Sequence, residues 1–297
     1  MQPNVIFALY MKLSFKQLFL SVLAAGGFTG MAQAQYYYQD IYANQQANAN
    51  MALLKAAKVR KQVVQSMDAD LSSDNDFICE RVLDDYYRQL TAVTKSRATG
   101  RSVTVSTFSP KAILLKTVDS SEASITTLQY RYNEQGHLLS IQSTSIAREQ
   151  KFRVTEFRTF RYDAQGRLLN ILRQRSTNPA DTSVVLFRTD DQFRVTAEQE
   201  TGKGVHSSRV YYDYDSSGHL SAILRYSTVH KRMLPDYLFE YDPQGRLLQM
   251  TTVNAESGDY TVWQYTYDAN GLPQQEKCYT KKRELLGIVK YTYELGK

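Results

Sequence analysis

A mainly β fold is predicted here by three observations. A tyrosine-rich motif recurs at a spacing of about 26 residues, each copy alternates with period two around a turn, and the first hundred residues lack that alternation. Self-similarity at such a period marks a repeat architecture, each unit stacking on its neighbours. The expected fold is an antiparallel meander of tandem β-hairpin repeats, an open twisted sheet or a solenoid. An N-terminal α-helical segment precedes it. The expected divisions are a signal peptide over 1–34, the helical segment over 35–100 and the repeat domain over 101–297.

The repeats read Tyr130-Arg-Tyr132-Asn133-Glu-Gln-Gly136, Phe160-Arg-Tyr162-Asp163-Ala-Gln-Gly166, Tyr212-Asp-Tyr214-Asp215-Ser-Ser-Gly218, Phe239-Glu-Tyr241-Asp242-Pro-Gln-Gly245 and Tyr265-Thr-Tyr267-Asp268-Ala-Asn-Gly271. Aromatic-x-aromatic is strand patterning. Asp or Asn opens a turn and Gly closes it, the pattern of a type I turn followed by a left-handed residue in a bulge. Asp163, Asp215, Asp242 and Asp268 recur at one turn position, which assigns them a structural task. The glycines from 166 to 218 are twice the usual spacing apart, so a decayed copy is expected around Phe187-Arg-Thr-Asp190-Asp-Gln-Phe193. A second imitation, Phe108-Ser-Pro-Lys-Ala112, lies upstream, and Tyr291-Thr-Tyr293-Glu-Leu-Gly296 begins a last half copy.

Tyr162-Asp163-Ala-Gln-Gly166-Arg167-Leu168 and Tyr241-Asp242-Pro-Gln-Gly245-Arg246-Leu247 resemble the core of the Rhs/YD-repeat family. The resemblance covers about two thirds of the chain. It implies a β-sheet of the kind that family builds into toxin-enclosing shells or extracellular adhesive stalks. A short exported member without an effector domain is the expectation.

The N-terminal stretch reads as a secretory signal. Lys12 and Lys16 precede the apolar run Leu18–Ala25, and Ala32-Gln-Ala34 is a small-x-small cleavage site that would leave Gln35 first. The expected location is periplasmic or secreted. The net charge of +6 is spread with both signs interspersed, which does not point to nucleic acid. Export permits a disulfide between Cys79 and Cys278, the two cysteines.

Between signal and repeats, Ala52, Ala56, Val59, Val63 and Met67 form a helical stripe. Cys79, Leu83, Tyr86, Leu90 and Val93 form another, with Gly100 as its stop. Two helices are expected, from about 51 to 67 and from about 77 to 95, covering a sheet edge.

No catalytic, metal or cofactor constellation emerges. Asp213-Tyr-Asp215-Ser-Ser217-Gly218 imitates a calcium loop, but Leu224 stands where the bidentate carboxylate is needed. His137, His206, His219 and His230 have no metal-ligand spacing. The reading is therefore a non-enzymatic exported scaffold presenting a surface to a glycan or protein of the cell envelope. Trp263, Tyr237, Lys231 and Arg232, which break the repeat consensus, are its expected ligand-binding residues. The alternative is an outer-membrane β-barrel, with a hydrolase or toxin-related protein behind it. Against membrane insertion, Arg158 and Arg161 differ in parity on one strand, so one of them should face lipid.

Overall fold

The computed structural model describes residues 35–72, 77–97, 100–149, 152–176, 178–202, 209–228, 230–254 and 257–296. The expected signal segment and His206 lie outside the described residues. A π-helical turn, Tyr37–Tyr42, leads into helix α1, Ala43–Ala56.

Among the described residues, eighteen strands follow. They begin with β1 (Val59–Asp68), β2 (Ile78–Leu83), β3 (Gln89–Ser96), β4 (Gly100–Phe108), β5 (Leu114–Ser121) and β6 (Ser124–Tyr132). Next come β7 (Leu138–Ala147), β8 (Arg153–Tyr162), β9 (Leu168–Arg175), β10 (Asn178–Thr189), β11 (Val195–Gly202) and β12 (Val210–Tyr214). The series ends with β13 (Leu220–Ser227), β14 (Arg232–Tyr241), β15 (Leu247–Val253), β16 (Tyr260–Tyr267), β17 (Pro273–Thr280) and β18 (Leu285–Leu295).

Each strand pairs antiparallel with the next, and β1 pairs with β18 as well as β2. Val64 thus faces Cys79 on one side and Tyr291 on the other. The sheet is a closed 18-stranded barrel, not the expected open sheet or solenoid. Closure overturns that expectation because 59–68, 78–83 and 89–96, expected to be helical, are strands that complete the wall. It supports the barrel alternative over the open repeat scaffold.

The helix expected over 51–67 ends at Ala56. Lys58 takes a left-handed φ of 55°, and the β-branched run Val59, Val63, Val64 continues as β1. The helix expected over 77–95 is the β2–β3 hairpin. Its five-residue stripe is split: Cys79 and Leu83 pack inward from β2, while Tyr86 sits at the turn with 79% of its surface exposed. Among its described residues, the segment 35–100 holds a π-helical turn, one α-helix and three complete strands, with β4 starting at Gly100.

The recurring turns share one end of the barrel. At Asp163 the backbone N–H donates to Arg167 O at 3.0 Å, and Gly166 N–H donates to Asp163 O at 3.1 Å. Oδ1 of Asp163 accepts from the N–H groups of Gln165 and Arg167, and Oδ2 accepts from Arg167 Nε. In the next turn but one, the N–H of His219 is the main influence holding the Asp215 carboxyl below its ordinary value. The degenerate copies obey the same geometry without glycine: Ala112 has φ 60° and Phe193 φ 64°. A further copy, Asp84-Asp-Tyr-Tyr87, had no sequence signature beyond its aspartate, and Tyr87 there takes φ 54°.

The second aromatic of each copy locks one repeat to the preceding one. The hydroxyls of Tyr132, Tyr162, Tyr214, Tyr241, Tyr267 and Tyr293 donate to the carbonyls of Leu114, Leu138, Val195, Leu220, Leu247 and Pro273. Each acceptor lies two residues past the left-handed turn position of the previous hairpin. The residue after that turn position stacks on the next repeat's aromatic ring. His219 lies 4.7 Å from Tyr241, and Arg246 lies 4.8 Å from Tyr267. Histidine and arginine do the same job there.

Gly245 has φ 77°, and a Cβ on it would fall 2.9 Å from His219 Nε2. Gly245→Val should cost about 1–3 kcal/mol through left-handed strain and this clash. Tyr241→Phe should cost about 1 kcal/mol for its lost hydrogen bond, and His219→Arg should stay within about 0.5 kcal/mol of the parent. Denaturant titration checks the order; a Gly245→Val protein as stable as the parent contradicts the turn geometry.

Candidate functional site: the helix-filled lumen

Alternation along each strand decides what meets the lumen. On β8, Glu156, Arg158, Phe160 and Tyr162 share one parity, and Phe160 is buried. Phe157, Thr159 and Arg161 point the other way. The inward set across the barrel is rich in aromatic and aliphatic side chains, among them Ile171, Val185, Tyr212, Ile223, Phe239 and Trp263.

The helix occupies this interior, because its partners come from strands all around the wall. Gln35 Nε2 donates to Asp236 Oδ2 on β14 at 2.7 Å. The N–H groups of Tyr36 and Tyr37 donate to the two oxygens of Glu198 on β11, at 2.7 and 2.8 Å. A carboxylate there satisfies orphan amides at a helix start and complements its dipole. Asp40 pairs with Arg158 on β8. Asn44 Nδ2 donates to the Tyr132 hydroxyl on β6, and Asn48 Oδ1 accepts from Leu114 N–H on β5. Tyr38 stacks near Tyr237 and Phe239 on β14 at 5.6 and 5.9 Å. The C-terminal half is apolar: Met51 and Leu54 pack with Leu83, Phe108, Ala112, Leu114 and Leu272.

Around the N-terminal half lies a charged network. Arg158 Nε donates to Glu156 Oε1 at 2.7 Å, and Arg173 Nη2 donates to Glu156 Oε2 at 2.9 Å. Arg175 Nε also reaches Glu156, at 3.1 Å. Arg173 bonds Glu200 as well, and its guanidinium lies 4.7 Å from the Tyr36 ring centre. The Tyr36 hydroxyl donates to Glu200 Oε2 at 2.9 Å. Burial pushes the Asp40 carboxyl above its ordinary value, against the opposing pull of Arg158. Asp40 Oδ2 and Arg173 Nε have no hydrogen-bond partner. Beside the network, a cavity of about 430 Å³ opens among Ser143, Phe152, Glu156, Arg158 and Arg175.

The structure does not bring the expected ligand-binding residues together. Trp263 is 0% exposed, in register with Cys278 and Met250. Tyr237 is half-buried against Tyr38. Only Lys231 and Arg232 are exposed, where the chain enters β14. Parity explains the error, since Trp263, Tyr265 and Tyr267 alternate onto the same inward face. The turn set Gly136, Gly166, Gly218, Gly245, Gly271, Asp163, Asp215, Asp242 and Asp268 stands at the rim. Cys79 and Cys278 are free buried thiols. Strands β1 and β18 separate them, three strand spacings or roughly 14 Å, so the bridge that export would permit does not form.

Sequence reasoning missed the network of Asp40, Glu156, Arg158, Arg173, Glu198 and Glu200. A signal was present: Glu156 and Arg158 share parity with Phe160, and Glu198 and Glu200 recur with period two. Charges on an inward face demand partners.

No family model matches the chain, and no curated protein matches it. Among solved structures it is similar to a porin-like protein from Bacteroides uniformis, at 11% identity and a TM-score of 0.38, covering 80% of this chain and 97% of that one. A porin-like protein from Bacteroides vulgatus matches at 10% identity and a TM-score of 0.22, covering 80% and 98%. The Photorhabdus luminescens Tc holotoxin pore matches at 14% identity and a TM-score of 0.32; the aligned part covers 74% of this chain but only 12% of that one. These scores are too low to argue from, and membership of the Rhs/YD family is not confirmed by them. The closed strand order rests on this chain's own pairing.

Arg158→Ala strands the buried Asp40 carboxylate and should destabilise by about 3–5 kcal/mol. Adding Asp40→Asn removes the stranded charge and should recover part of that loss. Trp263→Ala should cost about 3–5 kcal/mol as a core truncation. Chemical denaturation of the parent, Arg158→Ala, Asp40→Asn, the double variant and Trp263→Ala measures all three effects; additive Arg158 and Asp40 losses would contradict the pairing.

Proposed function

We propose that the protein is an exported β-barrel of the bacterial cell envelope, located at the outer membrane and sealed by its own N-terminal helix. The observation that carries this reading is the closed 18-stranded sheet with the helix bonded to β5, β6, β8, β11 and β14 inside it. Closure removes the sheet edges, one of the two solutions for a protein that meets a bilayer. A lumen filled by a helix and inward aromatics does not suit passage of solutes, and no catalytic role is assigned to it.

A second reading keeps the same barrel in water, periplasmic or secreted, presenting its loops to a glycan or protein. The outward charges favour it. Lys277 lies between the buried Glu276 and Cys278, and Lys290 follows the buried Val289, so both project from the wall mid-strand. A lysine at the bilayer midplane costs about 2–4 kcal/mol.

Fractionation separates the two. Recovery with outer membranes and release only by detergent is expected for the first reading, and full solubility without detergent supports the second. Purified protein in a planar bilayer should show no steady conductance. An open-channel current would contradict the sealed lumen.

A further inference from the structure

One stretch of the barrel wall differs from the rest in its outward charge. Strands β5 to β10 are consecutive neighbours in the sheet. Among their described side chains both carboxylates point inward. Glu156 shares the parity of the buried Phe160, and Asp119 is in register with Thr126, which shares parity with the core-packed Leu128 and Tyr130. The outer face carries Lys116, Arg131, Arg153, Arg161 and Arg188, all exposed. We propose that this face docks on an anionic phospholipid bilayer, its cations on the phosphates and its apolar side chains against the headgroup and acyl boundary. The proposal deepens the envelope-barrel reading by naming the wall that meets lipid, and rests on it only for the presence of a bilayer.

These cations have no partner in the protein. Elsewhere its surface cations are matched: Arg167, Arg194 and Arg246 pair with Asp163, Asp190 and Asp242 at the rim, and Lys61 with Glu80 on β2. None of the five on β5, β6, β8 and β10 is in an ion pair. The rest of the outer wall mixes its signs, with exposed Asp213 on β12, Glu240 on β14 and Glu294 on β18 beside Lys290. Only the β5–β10 face presents cations alone, and each cation near an anionic bilayer adds to its attraction.

The same face leaves large apolar side chains in water. Leu115, Leu139, Phe157, Leu169 and Leu186 are 38–50% exposed. They interleave with the cations: Asn170 lies in register between Arg161 and Leu186, and Phe157 between Gln142 and Gln174. Exposed apolar groups gathered on one surface mark an interaction site, and arginine stems can lie along apolar surface with the charge at the headgroups. A polyanion without apolar groups would use the cations and leave these five side chains in water. An apolar protein partner would bury the cations unpaired, which is costly. A bilayer surface with anionic headgroups matches both kinds of group at once.

The test mixes the full chain with vesicles of phosphatidylcholine, alone or blended with phosphatidylglycerol. Co-flotation should be at least tenfold stronger with phosphatidylglycerol present and should weaken as salt is raised. Arg161→Glu with Arg188→Glu should weaken it tenfold or more. Lys277→Glu with Lys290→Glu, which changes the net charge equally on another part of the wall, should leave it within about twofold. Melting temperatures confirm that each variant is folded. A fluorophore on Phe157→Cys should be quenched by doxyl-labelled lipid, and one on Gln264→Cys, exposed on β16, should not; the native thiols are buried. Quenching at both positions overturns one-sided docking while leaving an outer-membrane barrel standing. Quenching at neither, equal flotation with and without phosphatidylglycerol, or parental flotation in a folded Arg161→Glu, Arg188→Glu protein overturns the proposal, whatever fractionation shows about location.

Discussion

A β-sheet edge presents unpaired amides and carbonyls, and here the first and last strands satisfy that demand for each other. β1 pairs with β18 from Val59–Leu295 to Asp68–Gly287, with one irregularity near Arg60. All else follows from that closure. The inward parity of every strand becomes a common interior, the recurring turns become one rim, and the helix immediately before β1 packs inside. The tyrosine locks make closure regular, because each hydroxyl bonds to a carbonyl of the preceding repeat and fixes the stagger of its neighbour.

The interior combines two kinds of packing in sequence along the helix. Its C-terminal half is held by apolar contacts at Met51 and Leu54, its N-terminal half by charge and hydrogen bonds at Tyr36, Tyr37 and Asp40. Buried ion pairs add little net stability relative to apolar packing, but breaking one is costly. Such a network therefore specifies where the helix sits more than it strengthens the fold. Glu198 shows the same logic, as its carboxylate is buried yet matched to two helix amides.

The hairpins were legible because their information is local: Tyr-x-Tyr sets the strand, Asp sets the turn, and Gly245 or Gly166 takes the left-handed position. Ala112 and Phe193 show that the turn survives without glycine once neighbours enforce it. Closure was not legible, since it depends on residues near 60 meeting residues near 290, and no local pattern encodes that pairing. The two helical stripes misled because a spacing of four and three can also be met by alternate positions on two adjacent strands, as Cys79 and Leu83 on β2 and Leu90 on β3 demonstrate. Trp263 was misplaced for a different reason. Its failure to recur suggests a ligand-binding role, whereas its parity with Tyr265 and Tyr267 places it in the core.

Closure itself can be measured directly. Gln65 and Lys290 are register partners across the β1–β18 seam, so spin labels at both positions in the otherwise intact chain should report a short separation, within about 20 Å once label arms are allowed for. An open meander would hold the same strands seventeen spacings apart, roughly 80 Å at about 4.8 Å per strand. A short distance is the result the closed barrel predicts, and a long or broadly spread distribution would contradict it.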